Sequence, residues 1–401
     1  MILKECRVWG VGTDNGTGMK RTRLFLLLTA TALLLGWPLP VWSWESSFFD
    51  FFESSTSARA GAMGGPHCAL ADDGNVLFSN PAGVRSIERQ LTVSEVTLNF
   101  YESAAEIAGE TFFGTPGPAG DRYGTYSLWG PLAFSYINNG RAFGLFTSSN
   151  IYLHAWGPSP AARAVLEENL VVIGSRAFRF RLPEGSPSKL DIGFSLVAFA
   201  SLRGVFDSDL RELVTSATSL DDFLLGSGEF HRALGAGLEF GMLYSYKSLF
   251  SVGLSGRNLA AEMGRTFTTI QDFLSSGSSS AWYNVLPLDV SVGIAFRPPL
   301  GRMGRIFSDL VLAADYHNIF DFLIYPAGAT NPLLHIGAGL EFKLLEIVSL
   351  RGGFYQLLPS FGLGLDLSLF RLNLAYFGRE LSQEPGGYPV GCYTVGVEFI
   401  Y

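Results

Sequence analysis

Charged residues are scarce in this sequence of 401 residues. Only 16% of the residues are Asp, Glu, Lys or Arg, although 48% are hydrophobic, whereas soluble domains carry about 25% charged residues. Beyond residue 43, no segment offers the roughly 20 consecutive apolar residues that a membrane-spanning helix needs. A hydrophobic chain without such runs is typical of a membrane β-barrel, in which every second residue faces lipid.

Cysteine and basic residues are also few. Of the 3 Cys, Cys68 and Cys392 follow residue 43, so we expect no disulfide framework, and the sequence does not decide whether these two pair. The formal net charge is −8, and residues 1–43 contribute a net charge of +3, which leaves −11 for the remainder. This charge, without a basic and aromatic patch, argues against nucleic acid as a partner.

Motifs for catalysis and metal binding are missing as well. The five His do not have the spacing of HExxH, and no G-x-S-x-G elbow occurs. The triplets 235–237, 337–339 and 362–364 repeat glycine with a period of two, which places small residues on one strand face and does not form a phosphate loop. We therefore expect no catalytic residue, no metal and no cofactor, and a role in passage or binding.

The first 43 residues have the organisation of a secretory signal. Basic residues at 20, 21 and 23 precede an apolar run at 24–35, and Ser43 stands before the predicted cleavage point. No Cys follows that point, which argues against a lipoprotein. Met19 fits the start of a signal better than Met1, because residues 1–18 are polar and Gly-rich. An uncleaved anchor is the alternative.

The last nine residues alternate between two faces. One face carries Tyr393, Val395, Val397, Phe399 and Tyr401, and the other carries Thr394, Gly396 and Glu398. Such alternation indicates a strand between an apolar and a polar environment. A final strand that ends on an aromatic residue is typical of outer-membrane barrels, and we expect the barrel assembly machinery to bind it.

The same alternation recurs along the chain and predicts an all-β fold of about fourteen antiparallel strands, an even number as single-chain barrels require. The predicted strands are 91–101, 126–137, 142–153, 170–181, 190–203, 231–244, 248–258, 286–297, 308–317, 334–343, 346–356, 361–369, 370–378 and 391–401. Short turns alternate with longer loops such as 154–169, with exceptions at 298–307 and 357–360, which predicts a transmembrane barrel with both ends in the periplasm.

Charged residues on the second strand face are expected to point into the lumen. They are Glu239, Asp289, Arg297, Asp315, Glu341, Lys343, Arg351, Asp366, Arg371 and Glu398. Two interpretations stay open. In the first, these residues have a function and bind either a plug, through Arg59 or Asp72 and Asp73, or a ligand carboxylate. In the second, they are solvated side chains or ion pairs along the wall.

Residues 44–90 do not alternate and predict a small folded unit ahead of the first strand. Gly64-Gly65 permits positive φ, and Asn80 before Pro81 has the pattern of a helix N-cap with proline in the first turn. Inside a barrel of this size such a unit serves as a plug. The predicted divisions are an extension with signal peptide (1–43), a hatch (44–90) and the barrel (91–401).

The hatch segment resembles that of a known family. The run 58–65, the step 71–73 and the sequence 80–83 are similar to the N-terminal hatch of FadL-like outer-membrane proteins, and late segments such as 350–354 and 361–365 extend the likeness. The segment 66–68 departs from the family pattern. The hatch residues singled out are Arg59, Gly61, Gly64, Gly65, Asp72, Asp73, Asn80, Pro81, Ala82 and Gly83.

The resemblance implies a monomeric fourteen-stranded barrel in the outer membrane of a bacterium, embedded in membrane lipid. It implies that the barrel is plugged by its hatch and moves long-chain fatty acids or other hydrophobic small molecules inward. A branch of the family, the PorV-type proteins, serves protein secretion or surface attachment and supplies the alternative function. A plain porin is a third.

Two long loops, 204–230 and 259–285, are rich in apolar residues, which exposed loops rarely are without a partner. In FadL-like transporters two such loops form the groove that captures lipid. The resemblance assigns this role here to Leu210, Leu213, Val214, Phe223, Leu224, Phe267, Phe273 and Leu274. The alternative is that these loops only pack on each other and on the barrel rim.

Overall fold

The computed structural model describes residues 57–101, 122–156, 161–180, 182–183, 186–209, 228–286, 288–301, 307–324, 326 and 328–401. The predicted signal peptide and residues 44–56 of the predicted hatch lie outside this part of the chain. The domain limits at residues 43 and 90 therefore remain predictions.

In the described part of the chain, fourteen antiparallel strands close into a barrel, and a fifteenth pairs outside the ring. The strands span Arg89–Tyr101 (β1), Arg122–Asn138 (β2), Arg141–Trp156 (β3), Ala161–Phe180 (β4), Ser188–Asp209 (β5), Gly228–Tyr246 (β6), Phe250–Phe267 (β7), Ser280–Val285 (β8), Asp289–Phe296 (β9), Phe307–Tyr316 (β10), Ile336–Leu344 (β11), Val348–Tyr355 (β12), Leu358–Asp366 (β13), Phe370–Glu380 (β14) and Pro389–Ile400 (β15). Each barrel strand overlaps one predicted strand, so the predicted strand number is confirmed.

The ring closes between the first and the last strand. In this pairing Leu98 of β1 lies opposite Val395 of β15, and every other barrel strand pairs with its neighbours along the chain, β7 pairing directly with β9. The hairpin strand β8 pairs with residues 261–266 of β7. This part of β7 follows residues 250–257, which pair with β9. Closure gives each described strand of the ring a partner on both sides, as a strand structure in lipid requires.

The two faces of the wall differ as the alternation predicts. In β13, Phe361 points outward and is 56% exposed, whereas the neighbouring Ser360 is fully buried inside. Leu196 of β5 is 66% exposed on the same outer surface. An apolar outer surface around a polar lumen suits a bilayer, and single-chain barrels with an even strand number are those of the bacterial outer membrane.

The wall is much taller on one side. Strand β5 has 22 residues and β12 has 8, and each residue adds about 3.3 Å. We call the end where β1 begins and β15 finishes the terminal rim, and the other end the opposite rim. The tall strands β4 to β7 rise above the shorter wall at the opposite rim.

Three connections are shorter in the structure than the loops predicted from the sequence. The largest error is at 154–169, where most of the predicted loop is strand. There β3 continues to Trp156 and β4 begins at Ala161. Adjacent Glu167 and Glu168 hide the alternation, because Glu167 is buried against Arg203 in the lumen while Glu168 is exposed outside. Strands β5, β6 and β7 likewise extend into the predicted loops 204–230 and 259–285.

The turns show both what the sequence signals and what it hides. Asn139 and Gly140 have φ of 44° and 92°, which fits the predicted type I′ hairpin. At the opposite rim, Gln356 and Leu357 also have positive φ, 53° and 66°. Neither residue type favours that conformation, so the residue types at this turn do not indicate it.

Residues 57–88, which we call the hatch segment, lie inside the barrel. They form helix α1 (Ala58–Ala62), helix α2 (Val76–Ser79) and a 3₁₀ helix at Pro81–Arg85. Two further short helices, α3 (Ile270–Ser275) and α4 (Asp321–Ile324), and a 3₁₀ helix at Pro332–His335 lie in connections at the opposite rim. No helix in the described ranges is long and apolar enough to cross a membrane.

Candidate functional site

The beginning of the hatch segment depends on Ser57 and Gly64. Ser57 caps α1, because its hydroxyl accepts a hydrogen bond from the amide of Ala60 at 3.2 Å. The chain then turns at Gly64, where φ is +82° and a Cβ would lie 2.4 Å from the carbonyl oxygen of Phe354. Glycine is required there, since other residues rarely adopt this φ and find no space.

The other predicted hatch glycines also lie where the backbone has a close neighbour. Gly61 lies against the ring of Phe377, and Gly65 lies beside the ring of Tyr355. Gly83 packs within the hatch segment itself. Packing against the barrel wall therefore explains Gly61 and Gly65, and packing inside the hatch explains Gly83.

Glycines of the wall meet the hatch from the other side. A Cβ at Gly339 would lie 1.9 Å from the carbonyl oxygen of Met63, and one at Gly193 would lie 2.4 Å from that of Pro81. The sequence predicts only that such glycines are small lumen residues. The structure adds the reason, which is that the hatch backbone rests directly on the wall backbone.

Arg59 joins the hatch to the wall. Its Nε and Nη2 donate to the two carboxylate oxygens of Glu341 at 2.9 and 2.8 Å, and Nη1 donates to Asp72 and Asp73 of the hatch, both at 2.7 Å. Asp72 also accepts from Arg297, which follows β9, at 2.5 Å. The predicted contact between lumen charges and Arg59, Asp72 and Asp73 is thus present, in the charge-assisted, bidentate form that is strongest.

Glu341 is shared between the hatch and the wall. Besides Arg59 it accepts from Nε of Arg351 on β12 at 2.5 Å, and Arg351 in turn donates to Asn373 on β14 at 2.7 Å. Glu341 would therefore keep one cationic partner if the hatch moved away. Such sharing lowers the cost of breaking the hatch contact, because the carboxylate is not left unpaired.

The ion pairs determine the charge of the hatch residues. Burial alone would lower the pKa of Arg59, but the carboxylates of Asp72 and Glu341 outweigh it and raise that pKa above its ordinary value. Burial would raise the pKa of Asp72, but Arg59 and Arg297 hold it well below its usual range. Both groups are therefore charged at neutral pH.

The segment 66–68, which departs from the family pattern, forms a second attachment. The Nδ1 of His67 lies 2.5 Å from Oδ2 of Asp315 on β10, and its Nε2 lies 2.9 Å from the carbonyl oxygen of Met63. The amide of Cys68 donates to the other oxygen of Asp315 at 2.8 Å. Both ring nitrogens of His67 thus lie within hydrogen-bond distance of an oxygen atom, one on the wall and one in the hatch.

Asn80 fastens the end of the hatch, and the predicted cap is present. Its Oδ1 accepts from the amide of Ala82 at 3.0 Å, at the start of the 3₁₀ helix that Pro81 opens. Its Nδ2 donates to the carbonyl oxygen of Cys68 at 2.7 Å and to that of Met242 on β6 at 3.2 Å. One buried side chain thus joins two parts of the hatch to the wall.

Apolar contacts hold the hatch on the side of β2 to β5. The ring of Phe78 lies edge-on to Trp129 and Phe146, with centroids 5.3 and 4.8 Å away. Leu77 and Val84 are fully buried in the same cluster. The hatch is therefore attached by hydrophobic packing on one side and by ion pairs on the other.

Some of the remaining lumen charges form ion pairs along the wall, whereas binding of a ligand carboxylate stays a prediction. Asp366 pairs with Arg371 and Lys343 at 3.1 and 3.6 Å along the wall, without the hatch. Sequence reasoning missed Arg257, which pairs with Asp289 and donates to the carbonyl oxygen of Phe78 at 3.0 Å. Its period-two spacing from the lumen residues 253 and 255 was the available signal.

The predicted capture residues fall into three groups. Leu210, Leu213, Val214, Phe223 and Leu224 lie outside the described residues. Phe267 is fully buried in a cluster with Phe206 and Phe230, and Phe273 of α3 packs on it at 5.5 Å between centroids. These two aromatics therefore pack on the rim, as the alternative interpretation holds, whereas Leu274 is 75% exposed.

Cys68 and Cys392 are both free and buried, so they do not pair. Burial, together with the charge of Asp315, raises the pKa of the Cys68 thiol well above its ordinary value. Among the residues that the structure describes, no group of three or more His, Cys, Asp and Glu could hold a metal ion.

Comparisons with known proteins give structural likeness at low identity. No protein-family model matches the chain, and no curated protein matches it in sequence. The crystal structure of the toluene transporter TodX of Pseudomonas putida has 13% identity and a TM-score of 0.47, over 86% of this chain and 97% of that one. The toluene transporter TbuX of Ralstonia pickettii has 12% identity and a TM-score of 0.48, over 87% and 99%.

A FadL homologue of Pseudomonas aeruginosa has 13% identity and a TM-score of 0.42, over 86% of this chain and 98% of that one. The strands and contacts of the present chain show its architecture directly. It is a closed barrel of fourteen strands with residues 57–88 packed inside. The chain thus has the outer-membrane barrel fold with an internal hatch that its FadL-like sequence features imply.

Proposed function

We propose that this protein moves hydrophobic small molecules across the outer membrane, through a lumen that the hatch closes and opens. The observation that carries the proposal is the divided attachment of the hatch. Hydrophobic packing around Phe78 fixes one side, whereas the other side is held by the exchangeable ion pair between Arg59 and Glu341. A plug attached in this way can move on one side while the other stays anchored.

The opposite rim offers a surface for a hydrophobic ligand. On the extension formed by β7 and β8, Met263 lies opposite Tyr283, and these side chains are 64% and 63% exposed. Leu274 of the adjoining α3 is more exposed still. Exposed apolar surface of this kind marks a binding site for lipid, ligand or protein, and here it lies on the outer face of the wall, where Met263 is opposite the exposed Leu234 of β6.

Long-chain fatty acid as the ligand is the narrower form of the proposal and rests on the sequence resemblance. In this proposal the hydrophobic solute passes through the lumen without being chemically changed. The PorV-type and porin functions are competing outcomes of the test, because each predicts a different solute or partner.

Uptake into proteoliposomes tests the proposal. The purified barrel should admit labelled toluene or oleate faster than protein-free vesicles, while labelled glucose should remain excluded. Leu274→Asp should reduce hydrophobic uptake severalfold, and Gln271→Asp, at another exposed position of α3, serves as the matched control.

Rapid entry of glucose through the unmodified barrel would instead show a porin. Equal hydrophobic uptake by the wild type and by protein-free vesicles, together with stoichiometric co-purification of secretion components from the outer membrane, would establish the PorV-type function.

A further inference from the structure

A second feature of the lumen lies at the terminal rim, between the hatch and the tall wall. It is a cavity of about 580 Å³ beneath β4 to β7, which we call the basic vestibule. Its charged lining residues are Arg85, Arg179, Lys189, Lys247, Arg297 and Glu88. Five of these six are cationic, in a chain whose net charge is −8.

Part of this charge is neutralised locally. Arg179 pairs with Asp191 at 2.7 Å, and Arg297 pairs with Asp72. No ion pair joins Lys189 or Lys247 to another described residue. The vestibule therefore presents an unbalanced positive field to whatever occupies it.

The vestibule also has an apolar floor, since Leu70, Leu243, Leu249 and Phe250 line it together with the cations. The neighbouring cavity of about 260 Å³, beside Arg59, is different. Seven acidic and five basic residues line it. Arg297 borders both cavities, which therefore adjoin at this side chain.

The sequence just before the hatch complements the vestibule. Residues 47–56 contain Phe48, Phe49, Phe51 and Phe52 together with Asp50 and Glu53, and they contain no basic residue. A run of four Phe near water needs a covering surface. The two carboxylates are equal in number and opposite in charge to Lys189 and Lys247, whereas Arg85, the remaining cation, donates to Asn139.

Length allows the contact. Residue 49 is eight residues before Ser57, which lines the smaller cavity, and an extended chain spans about 3.3–3.6 Å per residue, or roughly 26–29 Å. The vestibule volume falls within the roughly 300–1,000 Å³ of pockets that bind drug-sized ligands. It therefore holds several side chains and not the whole segment.

We propose that residues 47–56 of this same chain dock in the basic vestibule. Asp50 and Glu53 face Lys189 and Lys247, and phenylalanine side chains cover the apolar floor. Docking ties down the chain immediately ahead of α1 and so provides a further attachment of the hatch at the terminal rim. The inference does not depend on the solute that the barrel transports.

Disulfide crosslinking in the mature, detergent-folded protein tests the proposal. In a background of Cys68→Ala and Cys392→Ala, Phe49→Cys is combined either with Ser248→Cys, which lines the vestibule, or with Asp309→Cys, which lines the smaller cavity. Mild oxidation should crosslink the Ser248→Cys pair at least fivefold faster. The control is stringent, because the smaller cavity is the one that Ser57 borders and Asp309→Cys removes a negative charge there.

Charge reversal supplies the second arm. Lys189→Glu with Lys247→Glu should abolish the preference for the vestibule, and adding Asp50→Lys with Glu53→Lys should restore it. Lys343→Glu is the matched control, because Lys343 lies in the smaller cavity and already faces Asp366 at 3.6 Å.

Equal crosslinking to both cavities, or no effect of charge reversal, would overturn the proposal. Anionic phospholipid that co-purifies with the wild type and is lost in the Lys189→Glu and Lys247→Glu variant, without crosslinking of residue 49, would assign the vestibule to lipid instead.

Discussion

Arg59 and Glu341, separated by 282 residues in sequence, form an ion pair of two parallel hydrogen bonds at 2.9 and 2.8 Å between the hatch and strand β11. The pair lies on the side of the hatch that is held by charge, whereas the other side is held by the hydrophobic packing of Phe78. Glu341 also pairs with Arg351, so the hatch can separate from the wall at this ion pair without leaving the carboxylate unpaired.

Glu341→Gln should loosen the hatch and leave the barrel closed. Losing one partner of a buried ion pair costs about 3–5 kcal/mol, and the change leaves Arg59 and Arg351 without their shared carboxylate. Hydrogen exchange of peptides from 57–73 should accelerate at least tenfold. Asp366→Asn, which breaks a pair within the wall, should leave those peptides unchanged, and equal acceleration by both variants would contradict the assignment.

Asn80→Ala should raise ion leakage without lowering the thermal melting of the β signal. Loss of the cap costs roughly 0.5–2 kcal/mol, and the bond to the carbonyl of Met242 is lost as well. Asn331→Ala is a matched control, because Asn331 caps a 3₁₀ helix at the opposite rim by accepting from Leu333 at 3.1 Å. Conductance in planar bilayers is the measurement, and wild-type conductance in Asn80→Ala would reduce this motif to a folding device.

The Cys68 thiol should report hatch release. It is buried, and burial raises its pKa, so maleimide should label it slowly at neutral pH. Arg59→Ala should accelerate labelling at least tenfold, because the charged side of the hatch loses its attachment. Cys392, buried in strand β15, is an internal control whose labelling should stay slow; equal acceleration at both thiols would indicate general unfolding.

Acid should weaken the hatch contact only at low pH. The pKa of Asp72 is depressed in the folded state, since Arg59 and Arg297 outweigh the effect of burial. Its stabilisation is therefore complete above the unfolded pKa of about 3.9 and is lost as the pH falls below it. Hydrogen exchange of the hatch, corrected for its intrinsic pH dependence, should be flat between pH 8 and 5 and should rise below about pH 4. Asp72→Asn should already be loosened at neutral pH.

Alternation was sufficient to predict the barrel, because a wall between lipid and lumen imposes a period of two on every strand. Phe361 and Ser360 show this contrast in burial directly. Alternation failed at Glu167 and Glu168, where two adjacent carboxylates face opposite sides of the wall. The rising height of the β4–β7 wall was consequently missed.

The hatch was only partly predictable. The cap at Asn80 is local in sequence and could be identified from the residue types alone. The pair of His67 with Asp315 joins residues 248 positions apart, and no local pattern encodes such a contact. The donation of Arg257 to the backbone of Phe78 was missed for the same reason.

A reversible lock on the hatch tests the central claim most directly. The Cβ of Ala58 in α1 lies 3.6 Å from the position that a Cβ would take at Gly396 of β15, within the roughly 3.5–4.5 Å of disulfides. In the Ala58→Cys and Gly396→Cys double variant, oxidation should lower uptake of labelled toluene and oleate into proteoliposomes to the rate of protein-free vesicles, and reduction should restore it, while each single variant transports in both states. Undiminished uptake by the oxidised, crosslinked barrel would contradict the account, because the solute would then pass without any release of the hatch.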